Sequence, residues 1–323
     1  MKILQIATSL GQKCGIALFA DTVQARMREA GIEIETVGAL TAEPSADIVL
    51  LQHHGELVRD RDVIAYCRES RSPVVLFAHD DAASALGDHV AGFIAMCPGM
   101  IQATKKPLHV FPHPAWIPPK LQDRRTLRRK LGLPEDTVIV GSNGFLKFER
   151  QFDEIVNALL PHARANNWHV LLLASPWRLD SPGLATKLTR LQKRYCGQFR
   201  FDHGFLDTPA LNQRLQACDL LWCWTEAPSS PYASGVASDQ YASGTRIFAA
   251  DKQQHGHILT LPNVVRGPDR LERYIEQLIA EISAGNHERH SPSPIGWDNC
   301  IGGLIEFLES FLPLQRPDQP RSL

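Results

Sequence analysis

The chain has 323 residues, more than one hydrophobic core usually organises, so two domains of about 150 residues each are expected. Hydrophobic residues make up 44% of the chain and charged residues 21%, which are values of an ordinary globular protein and exclude disorder and fibrous repeats. Because 34 Lys and Arg residues balance 35 Asp and Glu residues, no general surface for nucleic acid is expected, and any anion site must be local.

The cysteines and the N-terminal segment bear on the compartment. The 7 cysteines, an odd number without a CxxC pair, predict neither a disulfide framework nor a zinc site of the usual spacing, and they favour a cytoplasmic protein. An apolar strand begins directly at Met1, which leaves no room for a signal peptide, and no apolar run approaches the ~20 residues of a membrane span. Peripheral membrane contact and the oligomeric state stay open.

Short apolar runs rich in Val, Ile and Leu alternate with helical patterns in two successive sets. Unbroken apolar strands between helices indicate a parallel sheet covered on both faces, so the sequence predicts an α/β fold with two Rossmann-like, doubly wound domains. The predicted strands are 3–7, 32–37, 48–52, 74–78, 93–96 and 108–111 in the first set, and 138–141, 169–174, 199–201, 220–224, 246–249 and 264–265 in the second.

A proline-rich segment, Pro112–Pro119, separates the two sets and is unsuited to a helix or a central strand. It predicts a domain boundary near residue 120, with residues 1–120 as the first domain and residues 121–296 as the second. Residues 297–312 have the pattern of a helix with one apolar face. The basic run in Asp123–Leu131 is interpreted as a solvated helix face rather than a nucleic-acid patch, because it is short and lacks interleaved aromatic residues.

Glycines in the first strand-to-helix loop could let the backbone approach an anion. Gly11 and Gly15 follow the first strand, but they do not spell GxGxxG, so a simple turn and an anion site are equally open. A dinucleotide site is therefore not predicted.

A similar loop opens the second domain. Asn143 and Gly144 follow the strand at 138–141, and a helical pattern begins shortly afterwards. Lys147 and Arg150 occupy positions from which their cations could reach a bound phosphate, although solvated surface cations are the other interpretation.

Small residues precede another predicted helix, at 237–242. Ser234, Gly235 and Val236 come soon after the strand at 220–224, and backbone amides at such a helix start suit a diphosphate. Asp239 lies one turn into the helix, where its carboxylate could either reach a ribose or only complement the helix dipole.

His79 ends the strand at 74–78, at the carboxyl edge of the first predicted sheet, where doubly wound folds bind ligands. A functional role and a plain loop position are equally open for it. The pairs His53–His54 and His255–His257 lack a convincing third and fourth ligand, so no metal site is predicted.

The second domain resembles that of GT-B fold glycosyltransferases, specifically the retaining family 4. Gly144-Phe145-Leu146 followed by Arg150 is similar to the family's Gly-x-Leu loop with its downstream Lys. His203–Asp207 is similar to a Thr-Gly-Phe-Val segment, and this similarity implies that Phe205 and Leu206 border the nucleotide base.

The donor motif of the family resembles Ser234–Gly244, which has its Ser-Gly-Val variant. This resemblance implies that Ser234, Gly235 and Val236 hold the diphosphate and that Asp239 replaces the Glu that holds the ribose. The resemblance places Asn143 and Gly144 in the donor site as well.

Three further segments extend the resemblance. Cys14–Ala17 is similar to the Cys-Gly-Ile-Ala opening of one branch, which implies a donor contact for Gly15. His79-Asp80 is like the histidine beside the acceptor in many members. Trp297-Asp298 resembles the start of the terminal helix that crosses back onto the first domain.

Two positions depart from the family pattern. Phe145 stands where an Arg often follows the loop glycine, and Pro231 stands where the first of two glutamates is expected. Glu226, five residues before Pro231, could substitute as a sugar contact, and a lost contact or an altered donor sugar is equally tenable.

The resemblance implies two domains facing a cleft and transfer of a sugar from a nucleotide-diphosphate sugar with retention of configuration. Lys147 and Arg150 would neutralise the leaving diphosphate, and the acceptor would enter near His79. No metal and no other cofactor is expected. A nucleotide-sugar 2-epimerase and a degenerate nucleotide-sugar-binding scaffold stay open as alternatives, as do the base, the sugar and the acceptor.

Overall fold

Two parallel six-stranded sheets organise the chain in the computed structural model, which describes residues 1–11, 15–40, 45–102, 104–176, 182–226 and 233–313. The chain divides into two units. The first contains Met1–Pro112 together with the stretch from Cys300 onward, and the second is His113–Asn299. This arrangement confirms the predicted α/β fold class.

The first sheet has the strand order β2-β1-β3-β4-β5-β6, and all its pairings are parallel. Its four central strands are almost completely buried and form unbroken apolar runs, whereas the two edge strands are partly exposed. The elements are β1 (Lys2–Ile6), α1 (Gly15–Glu29), β2 (Glu33–Val37), β3 (Ile48–His53), α2 (Asp60–Glu69), β4 (Val74–Ala78), β5 (Gly92–Ala95) and β6 (Leu108–Val110).

The second sheet has the strand order β12-β11-β10-β7-β8-β9, again parallel throughout. The elements are α3 (Arg124–Leu131), β7 (Val138–Phe145), α4 (Phe152–Asn166), β8 (Trp168–Ser175), α5 (Pro182–Arg194), β9 (Phe199–His203), α6 (Thr208–Gln216), β10 (Leu220–Cys223), α7 (Gly235–Ala242), β11 (Arg246–Ala250), β12 (Val264–Gly267), α8 (Leu271–Ala284) and α9 (Trp297–Glu309).

Alternate residues of the second sheet feed two separate cores. On β8, Val170 and Leu172 belong to one buried cluster, whereas Leu171 and Leu173 belong to the other. Because successive side chains of a strand lie on opposite faces, this period of two is what a sheet with helices on both faces requires.

The C-terminal helix supports the first sheet. The Phe307 ring of α9 stacks on His109 of β6 with a centroid distance of 5.3 Å. Phe311 lies so close to Gly92 of β5 that a Cβ there would come within 2.5 Å of its ring, so a larger residue would have to displace the ring. The chain from Cys300 onward thus belongs to the first unit.

The division between the units falls at His113, several residues before the boundary expected near residue 120. The reason is that the proline-rich segment is bonded to the second unit. Ser238 Oγ donates to the His113 carbonyl at 2.9 Å, and the Ala115 amide donates to the Ile295 carbonyl at 3.0 Å.

The solvated face expected for α3 is only half correct. Arg125 and Arg129 are exposed and pair with Glu135, but Arg128 is 5% exposed. Its guanidinium donates to the Asp219 carboxylate at 2.5 Å, and also to three main-chain carbonyls. A buried charge needs such complete pairing, so Arg128 fastens α3 to the sheet.

None of the helices in the described ranges is long and apolar enough to cross a membrane. The six cysteines found in those ranges are all free thiols.

Candidate functional site

The second sheet reverses its strand order between β7 and β10. From β7 the chain proceeds through β8 and β9 on one side, and from β10 through β11 and β12 on the other. Open α/β sheets bind ligands outside the carboxyl ends of the strands at such a reversal. The segments that follow β7, β10 and β11 therefore form the candidate site.

Helix α7 starts at this edge with a defined cap. The Ser234 side chain accepts a hydrogen bond from the Ala237 amide at 3.4 Å, and the Ser234 amide donates to the Gln254 carbonyl at 3.0 Å. The amides of the first helical turn, including Gly235 and Val236, have no carbonyl partner within the helix. Together with the helix dipole they favour an anion at this end.

Gln240 fixes α7 against the reversal point. Its fully buried side chain donates to the Trp222 carbonyl on β10 at 3.0 Å and to Asn143 Oδ1 on β7 at 3.1 Å. Asn143 is 3% exposed and so lies beneath the helix, where it supports α7. A donor contact by Asn143 stays a prediction.

Gly144 lies inside β7, which continues to Phe145 instead of giving way to a glycine loop as the sequence suggested. Its φ of 142° is open to glycine but strained for other residues, and a Cβ would come within 3.3 Å of Val236 Cγ2. Arg150 Nε would lie 3.8 Å from that Cβ. The glycine thus lets α7 and Arg150 approach the same point of β7.

Lys147 precedes, and Arg150 ends, a short 3-10 turn (Phe148–Arg150) between β7 and α4. The Arg150 guanidinium donates to the Trp224 carbonyl at 3.3 Å, just past β10. The Lys147 ammonium lies 3.6 Å from Glu149 Oε1 and remains 31% exposed. Both cations thus follow the carboxyl end of β7, and their contact with a bound phosphate stays a prediction.

Asp239 lies one turn into α7 and lines a small pocket. Trp116, Thr208, Leu211 and Asn212 are among the residues that line it. Burial raises the pKa of the Asp239 carboxyl to about 7, because no cation compensates the loss of water there. The carboxyl therefore titrates near neutral pH.

The segment after β9 presents an aromatic ring beside the start of α6. Phe205 is 47% exposed, whereas Leu206 packs against the core of the second unit. Asp207 caps α6 by accepting from the Ala210 amide at 2.8 Å. An exposed ring on a capped, fixed loop is suited to stacking on a nucleotide base.

Two residues near this edge escaped the sequence analysis. Lys252 follows β11 and places its ammonium 4.9 Å from the Trp224 ring centroid and 3.8 Å from Glu226 Oε2. His113 Nε2 would lie 3.2 Å from a Cβ at Gly235. Burial lowers the pKa of His113 to about 4, so its ring is neutral at pH 7. The position of Lys252 just past a strand was the available signal.

Glu226, the possible sugar contact, is 54% exposed at the same edge. Its amide donates to the Glu149 carbonyl at 2.5 Å, which ties the segment after β10 to the segment after β7. Pro231, the position of the missing first glutamate, lies outside the described residues, as does Cys14.

His79 lies at the carboxyl end of β4 in the first unit. Gly15 is the first residue of α1 in the same unit. A chain of amides holds the imidazole. Gln5 Nε2 donates to the Ala20 carbonyl, Gln52 Nε2 donates to Gln5 Oε1 at 2.9 Å, and Gln52 Oε1 lies 2.7 Å from His79 Nε2. Because Gln52 Oε1 is an acceptor, His79 Nε2 carries a proton and donates to it.

Within the described ranges, no group of three or more His, Cys, Asp or Glu side chains is arranged to hold a metal ion. The absence of a metal requirement stays a prediction.

Solved structures with the same architecture are glycosyltransferases. HepE from Anabaena, solved with UDP and glucose, is 14% identical with a TM-score of 0.71 over 96% of this chain and 100% of that chain. Sucrose-phosphate synthase from Thermosynechococcus elongatus is 11% identical with a TM-score of 0.72 over 96% and 99%.

A UDP-forming α,α-trehalose-phosphate synthase from Burkholderia xenovorans, solved with glucose-6-phosphate, is 13% identical with a TM-score of 0.59 over 91% of this chain and 77% of that chain. No family model and no curated protein sequence matches the chain. At these identities the likeness concerns the fold. The chain has the GT-B fold of these glycosyltransferases.

Proposed function

We propose that the chain is a glycosyltransferase that moves a sugar from a nucleotide-diphosphate sugar to an acceptor. The observation that carries the proposal is the start of α7, fixed at the β7/β10 reversal beside Arg150 and Gly144. There the first-turn amides of α7 and a cation converge, as binding a diphosphate requires. That HepE, of the same fold, was solved with UDP and with UDP-glucose supports this choice of ligand.

In the proposed reaction a bond forms between the acceptor hydroxyl oxygen and the anomeric carbon as the bond from that carbon to the diphosphate oxygen breaks. The nucleoside diphosphate leaves with the electron pair, so negative charge grows on it, and the hydroxyl proton passes by way of His79 to the leaving phosphate. Amides of Gly235 and Val236 donate to the phosphate oxygens, and Lys147 and Arg150 neutralise the charge. Asp239 accepts a bond from the ribose, and the Phe205 ring covers the base. The acceptor hydroxyl lies near His79.

Retention of configuration, membership of family 4, independence of metal ions and a cytoplasmic location are part of the same proposal. The first three rest on the sequence resemblance, and the location rests on the cysteines. Proton NMR of the product should show the anomer of the donor, and excess chelator should leave the turnover rate unchanged.

The test is calorimetry with UDP, GDP, ADP and dTDP, followed by mass-detected turnover of the corresponding sugar nucleotides. Each cation stabilises a developing charge, so Lys147→Ala combined with Arg150→Ala should lower turnover by about a hundredfold or more. Unchanged turnover in this variant would remove both residues from the mechanism. Binding without turnover on any acceptor would show a scaffold, and inversion of the donor incubated alone would show an epimerase.

A further inference from the structure

Among the described residues, three cations reach the carboxyl ends of β7, β10 and β11, and two of them, Lys147 and Arg150, already belong to the proposed donor site. Lys252 is the third. Its side chain is 19% exposed, and it therefore lies deeper than Lys147 at 31%. A partly desolvated ammonium needs compensating partners, so the surroundings of Lys252 indicate its role.

Trp224 brings Lys252 and Arg150 together. Its indole ring lies under the Lys252 ammonium, with the centroid at 4.9 Å, while its carbonyl accepts from Arg150. Trp224 is itself 1% exposed and is fixed by a bond from Nε1 to Gln151 Oε1 at 2.8 Å. The two cations therefore lie on a rigid support.

The buried imidazole of His255 lies near both Arg150 and Lys252. Burial is the main reason that the pKa of His255 is lowered to about 4, and both Arg150 and Lys252 lower it further. Both positive charges are thus close enough to act on one buried ring.

Lys252 is also tied to the start of α7. Gln254 lies two residues after Lys252. Its carbonyl accepts a hydrogen bond from the amide of Ser234, the N-cap residue of α7. Arg150 approaches the first turn from the other direction, through Gly144 and Val236. The segments that carry Arg150 and Lys252 therefore both adjoin the start of α7.

The ion pair of Lys252 is weak. The Lys252 ammonium and Glu226 Oε2 are 3.8 Å apart, and the Glu226 side chain is 54% exposed. At this distance, and with one partner in contact with water, such a pair stabilises little, whereas a cation bonded to phosphate gains more. Exchange of the carboxylate for a phosphate is therefore favourable.

We propose that Lys252 is a further donor-binding residue, which exchanges Glu226 for the β-phosphate of a nucleoside diphosphate. The inference rests on the proposed function. In the free protein Glu226 acts as a counterion that competes with the phosphate. Removing the lysine charge and removing the glutamate charge should therefore have opposite effects on affinity.

The experiment titrates UDP and UMP calorimetrically into the wild type, Lys252→Gln, Lys252→Arg and Glu226→Gln. The control is Lys130→Gln, which removes a lysine whose side chain bonds Gln213 on the surface. Loss of one charge-assisted bond should weaken UDP binding by roughly tenfold in Lys252→Gln and leave UMP binding unchanged. Glu226→Gln should tighten UDP binding by about threefold, and Lys252→Arg should retain most of the preference for UDP.

The possible failures are distinguishable. If the wild type binds none of UDP, GDP, ADP and dTDP, the proposed function itself is wrong. If it binds another of these instead of UDP, that diphosphate and its monophosphate replace UDP and UMP in the titrations. If the wild type binds UDP but Lys252→Gln behaves like Lys130→Gln, the role of Lys252 is overturned. Where Lys252→Gln does not fold, Glu226→Gln decides, because unchanged or weaker UDP binding in that variant contradicts the competition.

Discussion

Asp239 is the residue whose ionisation couples the candidate site to pH. Burial raises the pKa of its carboxyl to about 7, above the 3.8 of an unperturbed Asp. Because the folded state binds this proton more tightly than the unfolded state, the protonated carboxyl contributes to the free energy of unfolding. This contribution is fully present below pH 4 and is lost as the pH rises towards 7.

We therefore expect the free energy of unfolding of Asp239→Asn, relative to that of the wild type, to be higher at pH 8 than at pH 5. The relative gain should be about 2 kcal/mol, since each pKa unit corresponds to roughly 1.4 kcal/mol and Asp239 keeps some solvent contact. Chemical denaturation at the two pH values measures it. An equal difference between variant and wild type at both pH values would contradict burial as the cause of the shift.

The sequence indicates which cations lie near the strand ends, but it does not indicate the groups that these cations contact. Arg150 was identified from its position, yet its bond to the Trp224 carbonyl depends on two segments 74 residues apart. The raised pKa of Asp239 arises from residues in α6 and near Trp116, which no local pattern connects. Lys252 was missed because its only marker is that it follows a strand.

The approach of β7 and α7 is the contact between elements on which the candidate site depends. Gly144 has a φ of 142°, and a Cβ would meet Val236 Cγ2 at 3.3 Å. Gly144→Ala should therefore strain β7 and push α7 away, with a loss of about 2 kcal/mol in the free energy of unfolding. Chemical denaturation measures the loss, and UDP affinity should fall with it.

The matched control for Gly144→Ala is Gly183→Ala. Gly183 lies in α5, where an added Cβ meets no atom within 4 Å. Alanine favours a helix over glycine, so this control should be neutral or stabilising by up to about 1 kcal/mol. A loss of stability in both variants would mean that the effect of Gly144→Ala is not specific to the contact with Val236.

The central strands of both sheets were predictable because they are buried on both faces. β4 has the predicted bounds, while β7 runs four residues further than expected, to Phe145, since Ser142 and Asn143 hide a strand that continues under α7. Polar residues there bond the neighbouring strand and helix, as Ser142 Oγ does with the Trp222 carbonyl at 2.8 Å. Periodicity of apolar residues cannot detect such a strand.

At the scale of the whole molecule, the duplicated architecture followed from length and from two sets of apolar runs. The division at His113 could not be predicted in this way. It depends on hydrogen bonds of the proline-rich segment with Ser238 and Ile295, which are distant in the sequence. His79 is the residue of the first unit for which the sequence suggests a role in transfer, and a variant at this position tests that role.

His79 should affect sugar transfer without affecting nucleotide binding, since the proposed donor residues belong to the second unit and His79 to the first. Its imidazole is oriented by Gln52, with Nε2 and Oε1 2.7 Å apart. His79→Ala should lower transfer to the acceptor by about a hundredfold, as loss of a positioned proton-transfer group does, and leave the Kd for UDP unchanged. His162→Ala, on the exposed surface of α4, is the control. Parallel losses of UDP binding and transfer in His79→Ala would assign His79 to the support of the fold, whereas an undiminished transfer rate would remove it from the site.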